Sequence, residues 1–145
     1  KNLKNNNEVE PEFLKNQKFS NFLKNFYYNH ILKENLNSLE SVNKLLKKYN
    51  ANVKLIKGDT NSILKQMDLQ NIDFAFIDGG HSYETVINDL DILYANLKGK
   101  NKILLCDDYG KESYIPEVER AINKFLDKNN LKLNLIENRF AEIIT

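Results

Sequence analysis

An apolar run at 74–77 ends abruptly in Asp78, which is followed by two glycines and His81. Gly79 and Gly80 allow a tight turn and a close approach of a ligand to the backbone, or they serve the turn alone. An imidazole gains and loses its proton near neutral pH, so we interpret His81 as a general base rather than a structural histidine. A carboxylate at the end of a buried strand is costly without a partner, so we expect Asp78 to contact a cation or a cofactor.

A second apolar run, at 103–106, ends in Asp107 and Asp108. If the two runs are neighbouring parallel strands, their carboxyl ends lie at one edge of a sheet, where these acids meet Asp78 and His81. Carboxylate oxygens suit Mg²⁺ better than Zn²⁺. Adjacent residues of an extended strand point to opposite faces, however. The alternative is therefore one metal ligand and one acid that caps a helix or forms a salt bridge.

The pattern from residue 53 onward predicts the elements that position these residues. Short apolar runs predict three strands, at 53–57, 73–78 and 102–106. Helical spacing predicts three helices, at 61–67, 83–97 and 116–126. Leucines that alternate within 131–136, followed by an apolar run at 140–144, predict an antiparallel hairpin. Because the earlier strands are apolar at successive positions, the expected fold is α/β, with helices on both faces of the sheet.

Two segments resemble the ends of the fourth and fifth strands of class I methyltransferases, which use S-adenosylmethionine (SAM): Ile77-Asp78-Gly79-Gly80-His81-Ser82-Tyr83 and Asp107-Asp108-Tyr109. From about residue 53 to the C-terminus, the chain is similar to magnesium-dependent O-methyltransferases of sugars and natural products. The resemblance implies a Rossmann-like sheet that ends in an antiparallel hairpin. It also implies a cation held by Asp78, Asp107 and Asp108, with His81 as the base. The implied reaction is methyl transfer to a hydroxyl of a sugar or another small molecule.

The resemblance also indicates where SAM would lie. Asp59 and Thr60 follow the first predicted strand, where members of the family place an acid or a small polar residue near the adenine. Asp78, Gly79 and Gly80 are expected to contact the cofactor as well. For Asp59 and Thr60, the alternative is a turn and a helix cap without a ligand.

The chain departs from the family at its start. All five glycines lie at or after Gly58, so the glycine-rich loop that approaches the methionine part of SAM is missing. We therefore expect an N-terminally incomplete domain that lacks the first strands and has little activity alone. Residues 1–35 are interpreted as a polar start and an amphipathic helix, an insertion after a missing strand, and 36–145 as the C-terminal part of a single methyltransferase domain. Four side chains of that helix are expected to pack in the core, with a substrate-binding aromatic surface as the alternative: Phe19, Phe22, Leu23 and Phe26.

Composition restricts the partners. The chain has 145 residues and a formal net charge of +1, which gives no reason to expect nucleic acid. Its one cysteine, Cys106, excludes an intramolecular disulfide and fits the cytoplasm. No apolar stretch approaches the roughly 20 residues that span a bilayer, so no membrane is expected. An oligomer remains open, as do two other classes of function: a metal-dependent hydrolase, and a noncatalytic α/β fragment or interaction module.

Overall fold

The computed structural model describes residues 21–32, 38–49, 52–99, 101–111 and 115–145. The chain divides into an N-terminal unit, Lys1–Lys57, and a C-terminal unit, Gly58–Thr145. All the predicted site residues belong to the C-terminal unit. The interpretation of residues 1–35 as an insertion stays a prediction.

The regular elements described in the N-terminal unit are all helical. In chain order the elements are helix α1 at Phe22–Phe26, a π-helix at Tyr27–Leu32, helix α2 at Leu39–Leu46 and a 3₁₀ turn at Lys47–Tyr49. The side chains of Asn21 and Ser38 cap the N-termini of α1 and α2 by accepting hydrogen bonds from backbone N–H groups of the first turn.

The apolar side chains of α1 are exposed. Phe22, Leu23 and Phe26 are 78%, 74% and 49% exposed, so the prediction that they pack in a core is wrong. Phe19 lies outside the described residues. Helical spacing identifies an apolar face, but burial requires a second layer against that face. Among the side chains described in this unit, none is buried.

The segment 53–57 is irregular, so the prediction of a strand there is wrong. Val53 and Ile56 are each 42% exposed. A strand is maintained by hydrogen bonds to a neighbouring strand, and among the described residues no strand pairs with this segment. The apolar run at 53–57 is therefore not sufficient by itself to form a strand.

The C-terminal unit is built on a four-stranded sheet with the order β1-β2-β4-β3. The strands are β1 at Phe74–Ile77, β2 at Ile103–Cys106, β3 at Leu133–Ile136 and β4 at Phe140–Ile144. Strands β1 and β2 are parallel, whereas β4 is antiparallel to both β2 and β3. The predicted parallel pair and C-terminal antiparallel hairpin are confirmed.

Two long helices supply the core above this sheet. The helical elements are α3 at Thr60–Ile63 with a 3₁₀ turn at Leu64–Gln66, α4 at Tyr83–Leu97 and α5 at Pro116–Asn129. Fully buried side chains from α4, α5 and the strands form one hydrophobic cluster, which includes Leu90, Leu97, Leu104, Ile122, Phe125 and Ile143. Within the described ranges, no helix has the length and apolar character needed to cross a bilayer.

The other face of the sheet exposes apolar side chains. Phe74, Phe76 and Ile144 are 51%, 49% and 51% exposed, whereas Leu104 and Ile143 are fully buried. Burial therefore alternates along β1, β2 and β4, as in a sheet with one covered face. The expectation that helices cover both faces of the sheet is wrong for the described residues.

Candidate active site

Parallel pairing brings the ends of β1 and β2 to the same edge of the sheet. Their last residues, Ile77 and Cys106, are register partners. The backbone N–H of Asp107 donates to the carbonyl oxygen of Ile77 over 3.0 Å and extends the pairing by one step. Asp78 and Asp107 therefore leave the sheet side by side, as the motif predicted.

The loop after β1 ends where helix α4 begins. The hydroxyl of Ser82 accepts a hydrogen bond from the backbone N–H of Thr85 over 3.2 Å, which satisfies one of the donors left unpaired in the first helical turn. This cap fixes the end of the loop. His81, directly before the cap, is thereby held near the strand ends.

Asp78, His81 and Asp108 form a cluster at this edge. Each offers one possible ligand atom, and these atoms all lie within 4.8 Å of one another. Nε2 of His81 lies 3.0 Å from Oδ2 of Asp108, which is a hydrogen-bond distance. A small cavity beside the cluster has Val86 and Val118 in its lining. The structure thus brings together three of the predicted site residues from two strand ends.

Asp107 makes a different contact from the one predicted. Its side chain is 3% exposed and pairs with Arg139. Nε of Arg139 donates to Oδ1 over 2.6 Å, and Nη2 donates to Oδ2 over 2.5 Å. Asp107 also lines the cavity, but it is not one of the three clustered residues. Its role as a metal ligand stays a prediction, and its geometry is that of the alternative, an acid in a salt bridge.

The backbone of Asp108 explains how two adjacent acids take different directions. Asp108 has φ of 60°, in the left-handed region that aspartate tolerates better than most residues. This conformation ends the alternation of side chains that an extended strand would impose. The carboxylate of Asp108 can therefore reach His81, while that of Asp107 reaches Arg139.

Crowded carboxylates set the electrostatics of the cluster. Although Asp78 is exposed as a residue, partial burial of its carboxyl group raises its pKa above the usual value of 3.8, and the negative charges of Asp107 and Asp108 raise it further. His81 and Arg139 lower the pKa of Asp78. An additional cation beside Asp78 would relieve the repulsion and favour its ionised form.

Asp78→Asn is expected to stabilise the metal-free protein at neutral pH. Because the pKa of Asp78 is higher in the folded than in the unfolded state, the folded state binds more protons, and stability falls as the pH rises above about 3.8. Asparagine carries no charge and should avoid this loss. Thermal unfolding with chelator should therefore give the variant the higher Tm at neutral pH, and the difference should shrink in acid. A lower Tm at neutral pH would contradict the prediction.

Cys106 lies under the site but is chemically inert. Its side chain is 1% exposed, and burial raises the pKa of its thiol to about 12. The thiolate is the form that binds metals and attacks electrophiles. Cys106 is therefore a packing residue of β2.

Gly79 leaves open space next to the cluster. A Cβ added there would meet nothing within 4 Å, and its φ is not in the left-handed range. Neither the backbone conformation nor a neighbouring atom therefore requires glycine at this position. Gly80 lines the same cavity. The open surface suits a ligand that approaches the backbone closely.

Asp59 and Thr60 begin helix α3. Oδ1 of Asp59 accepts a hydrogen bond from the backbone N–H of Asn61 over 3.0 Å, so Asp59 is the N-cap and Thr60 is the first helical residue. This is the capping role that the sequence left open as an alternative. Contact of either residue with a cofactor stays a prediction.

The cluster fits a hard divalent cation. Two of its three residues offer carboxylate oxygens, the ligands that Mg²⁺ and Ca²⁺ prefer. Ligands on opposite sides of Mg²⁺ lie about 4.2 Å apart, twice its bond length of about 2.1 Å. The observed limit of 4.8 Å is close to this separation, so small side-chain movements would suffice. After burial, the negative charges of Asp107 and Asp108 also contribute to the raised pKa of Asp78, and a cation would offset this repulsion.

A family model described as a methyltransferase domain matches residues 10–109, which is more than half of the 145 residues. The chain belongs to this methyltransferase domain family. The predicted class I methyltransferase domain, with SAM as the cofactor, is confirmed by this match. The alternative of a metal-dependent hydrolase is not supported.

A viral protein is similar to part of the chain. Over 55 residues, the chain is 40% identical to uncharacterized protein R132 of Acanthamoeba polyphaga mimivirus. The match covers 38% of this chain and 24% of that relative, so the similarity spans less than a quarter of the relative's length. No solved structure matches the chain.

Arg139 is the residue of this region that the sequence interpretation missed. It lies in the hairpin turn, 32 positions after Asp107. One signal was present: the sequence has only two arginines, and its other basic residues are lysines. Arginine is preferred where a carboxylate is bound through two parallel hydrogen bonds. That preference identifies Arg139 as a candidate, but it does not identify the partner.

Proposed function

We propose that the protein transfers a methyl group from SAM to a hydroxyl of a sugar or another small molecule in the cytoplasm, with the help of a divalent cation. The proposal is carried by the cluster of Asp78, His81 and Asp108. It combines oxygen ligands with an imidazole at the carboxyl edge of the parallel strands, where α/β proteins bind their ligands. The buried thiol of Cys106 supports a reducing compartment.

His81 is the proposed base. A hydroxyl becomes a stronger nucleophile as its proton is removed, and a positioned imidazole can take that proton. Asp108 lies 3.0 Å from Nε2, so it can accept the Nε2–H bond and hold the ring in one orientation. Nδ1 then carries the lone pair that takes the proton, in the same logic as other histidines held by an aspartate. The side chain of His81 is 45% exposed, which leaves it accessible to an acceptor.

Two loops are proposed to bind the cofactor. When bound, SAM supplies an electrophilic methyl group on its sulfonium. The open space at Gly79 supports a close approach there, next to Asp78, and Gly80 lines the same cavity. Asp59 and Thr60 are proposed to lie near the adenine, because an acid at a helix N-terminus can still accept a hydrogen bond from an exocyclic amine.

Asp78 and Asp108 are proposed to hold the cation. When bound, the cation supplies positive charge that favours the deprotonated form of the acceptor hydroxyl. Asp78 directly follows β1 and Asp108 lies two residues after β2, so the parallel pairing brings both carboxylates to the same edge of the sheet. Asp107, the third predicted ligand, already has both carboxylate oxygens bound to Arg139.

A methyl-transfer assay on the complete protein would test this function. SAM with a labelled methyl group would be incubated with a panel of sugars and small alcohols, with Mg²⁺ or with chelator. We expect label on a hydroxyl oxygen of one acceptor class, loss of transfer in chelator, and recovery with excess Mg²⁺. Undiminished transfer in chelator would contradict the role of the cation alone. Binding of SAM without transfer to any acceptor would favour the noncatalytic alternative.

A further inference from the structure

The hairpin turn between β3 and β4 contacts the loop that follows β2. The carbonyl oxygen of Arg139 accepts hydrogen bonds from the backbone N–H groups of Tyr109 and Gly110, over 3.1 and 2.9 Å. A Cβ at Gly110 would lie 1.8 Å from the carbonyl oxygen of Asn138. Glycine is therefore required for this close contact between the two backbones.

The side chain of Arg139 contacts the same loop at a second point. Its guanidinium binds both carboxylate oxygens of Asp107, at 2.6 and 2.5 Å, and such paired bonds fix orientation as well as attract. Oδ1 of Asp107 in turn accepts a hydrogen bond from the backbone N–H of Asp108 over 2.7 Å. Asp108 is therefore connected to Arg139 on both sides: through Asp107 before it and through Tyr109 after it.

These contacts surround a backbone conformation that needs support. Asp108 has φ of 60°, and for residues other than glycine the left-handed region is less favourable than the extended one. Its carboxylate lies 3.0 Å from Nε2 of His81. An extended backbone at this position would point the side chain in a different direction.

We propose that Arg139 is a positioning residue for the active site. Through Asp107 and the backbone of the loop after β2, it holds Asp108 in the left-handed conformation that places its carboxylate beside His81. Arg139 acts through Asp108. The claim that this placement serves methyl transfer rests on the proposed function. The placement itself does not depend on that function.

The competing explanation is that the Arg139–Asp107 pair only anchors the hairpin. Both explanations predict a lower Tm when the pair is weakened, so stability alone cannot separate them. The NMR signals of the His81 ring can separate the two explanations, because they report the contact between Nε2 and Asp108. The sequence has two histidines, His30 and His81, so His30 serves as an internal reference.

The experiment is a long-range ¹H–¹⁵N spectrum of the imidazoles, recorded on this chain in chelator and without SAM. Arg139→Lys keeps the positive charge but loses the planar fork. The double variant Arg139→Gln/Asp107→Asn removes both charges. It therefore avoids a buried carboxylate without a partner, which would strongly destabilise the protein. Asp108→Asn gives the spectrum of His81 without its carboxylate partner.

We expect Arg139→Lys to shift the His81 signals part of the way toward those of Asp108→Asn, and the double variant to shift them most of the way. The His30 signals should not move, and each variant should still unfold cooperatively on heating. Unchanged His81 signals in both Arg139 variants would overturn the proposal, as would an Asp108→Asn variant whose His81 signals match the wild type. Failure of the complete protein to transfer methyl groups would overturn the proposed function and leave this result unaffected.

Discussion

Replacing His81 with alanine is expected to lower kcat by about 100-fold to 10,000-fold, the range typical for loss of a general base. The base acts in the chemical step, so the affinity for SAM should change little. Steady-state kinetics of the complete protein would give kcat and KM for both substrates. Calorimetric titration with SAM would give its Kd without dependence on turnover.

His30→Ala is the matched control. It removes the other histidine of the sequence, which lies in the π-helix at Tyr27–Leu32 and whose ring centroid is 5.1 Å from that of Phe26. We expect this variant to retain its kcat. If His81→Ala instead weakened SAM binding as much as it lowered kcat, His81 would be a binding residue, and the role of base would be wrong.

In the same kinetic experiment, the effect of replacing Asp108 on kcat should depend on whether His81 is present. Asp108→Ala removes the carboxylate 3.0 Å from Nε2, so the ring loses its orientation. The variants are compared at saturating Mg²⁺, because Asp108 is also a proposed ligand of the cation. Under that condition, once the imidazole has been removed, the loss of its partner should lower kcat much less. The two substitutions are therefore expected to be strongly non-additive in kcat, as is found for residues that act as a unit.

Local sequence patterns were sufficient where each element carried its own start and stop signals. The run at 74–77 ends in Asp78 and glycines, and the cap residue Ser82 directly precedes helix α4, so both bounds could be predicted. The segment 53–57 has three apolar residues and two lysines, and it has no strand partner among the described residues. Pairing is a property of two segments, and one segment cannot specify it.

The same distinction applies to the site. The motif predicted that Asp78 and His81 would meet at a strand end, because only a few residues separate them. Asp107 and Asp108 make different contacts because Asp108 has a left-handed φ and because Arg139, 32 positions from Asp107, binds the Asp107 carboxylate. Neither is encoded in the Asp-Asp-Tyr segment itself. The sequence could therefore leave two alternatives open but not choose between them.

Asp78→Asn and Asp108→Asn are each expected to weaken Mn²⁺ binding by more than about 100-fold. Loss of a residue that only supports a metal ligand already lowers metal affinity by about 10-fold to 100-fold, so loss of a ligand itself should lower it further. Mn²⁺ accepts the same oxygen ligands as Mg²⁺, and its electron paramagnetic resonance signal reports binding without an activity assay. Asp78→Asn should also lose the rise in Tm that a cation produces by binding the folded state, although it is the more stable protein in chelator.

Asp91→Asn is the control for charge alone. Asp91 pairs with Lys128 over 2.9 Å with both side chains exposed, and exposed pairs contribute little to stability. The variant removes one negative charge, as the site variants do, and should bind Mn²⁺ like the wild type. His81→Ala makes the test sharper, because a base that is not a ligand can be removed without a comparable loss of Mn²⁺ affinity. If His81→Ala weakened binding as much as Asp108→Asn, the imidazole would be a metal ligand, and another group would have to take the hydroxyl proton.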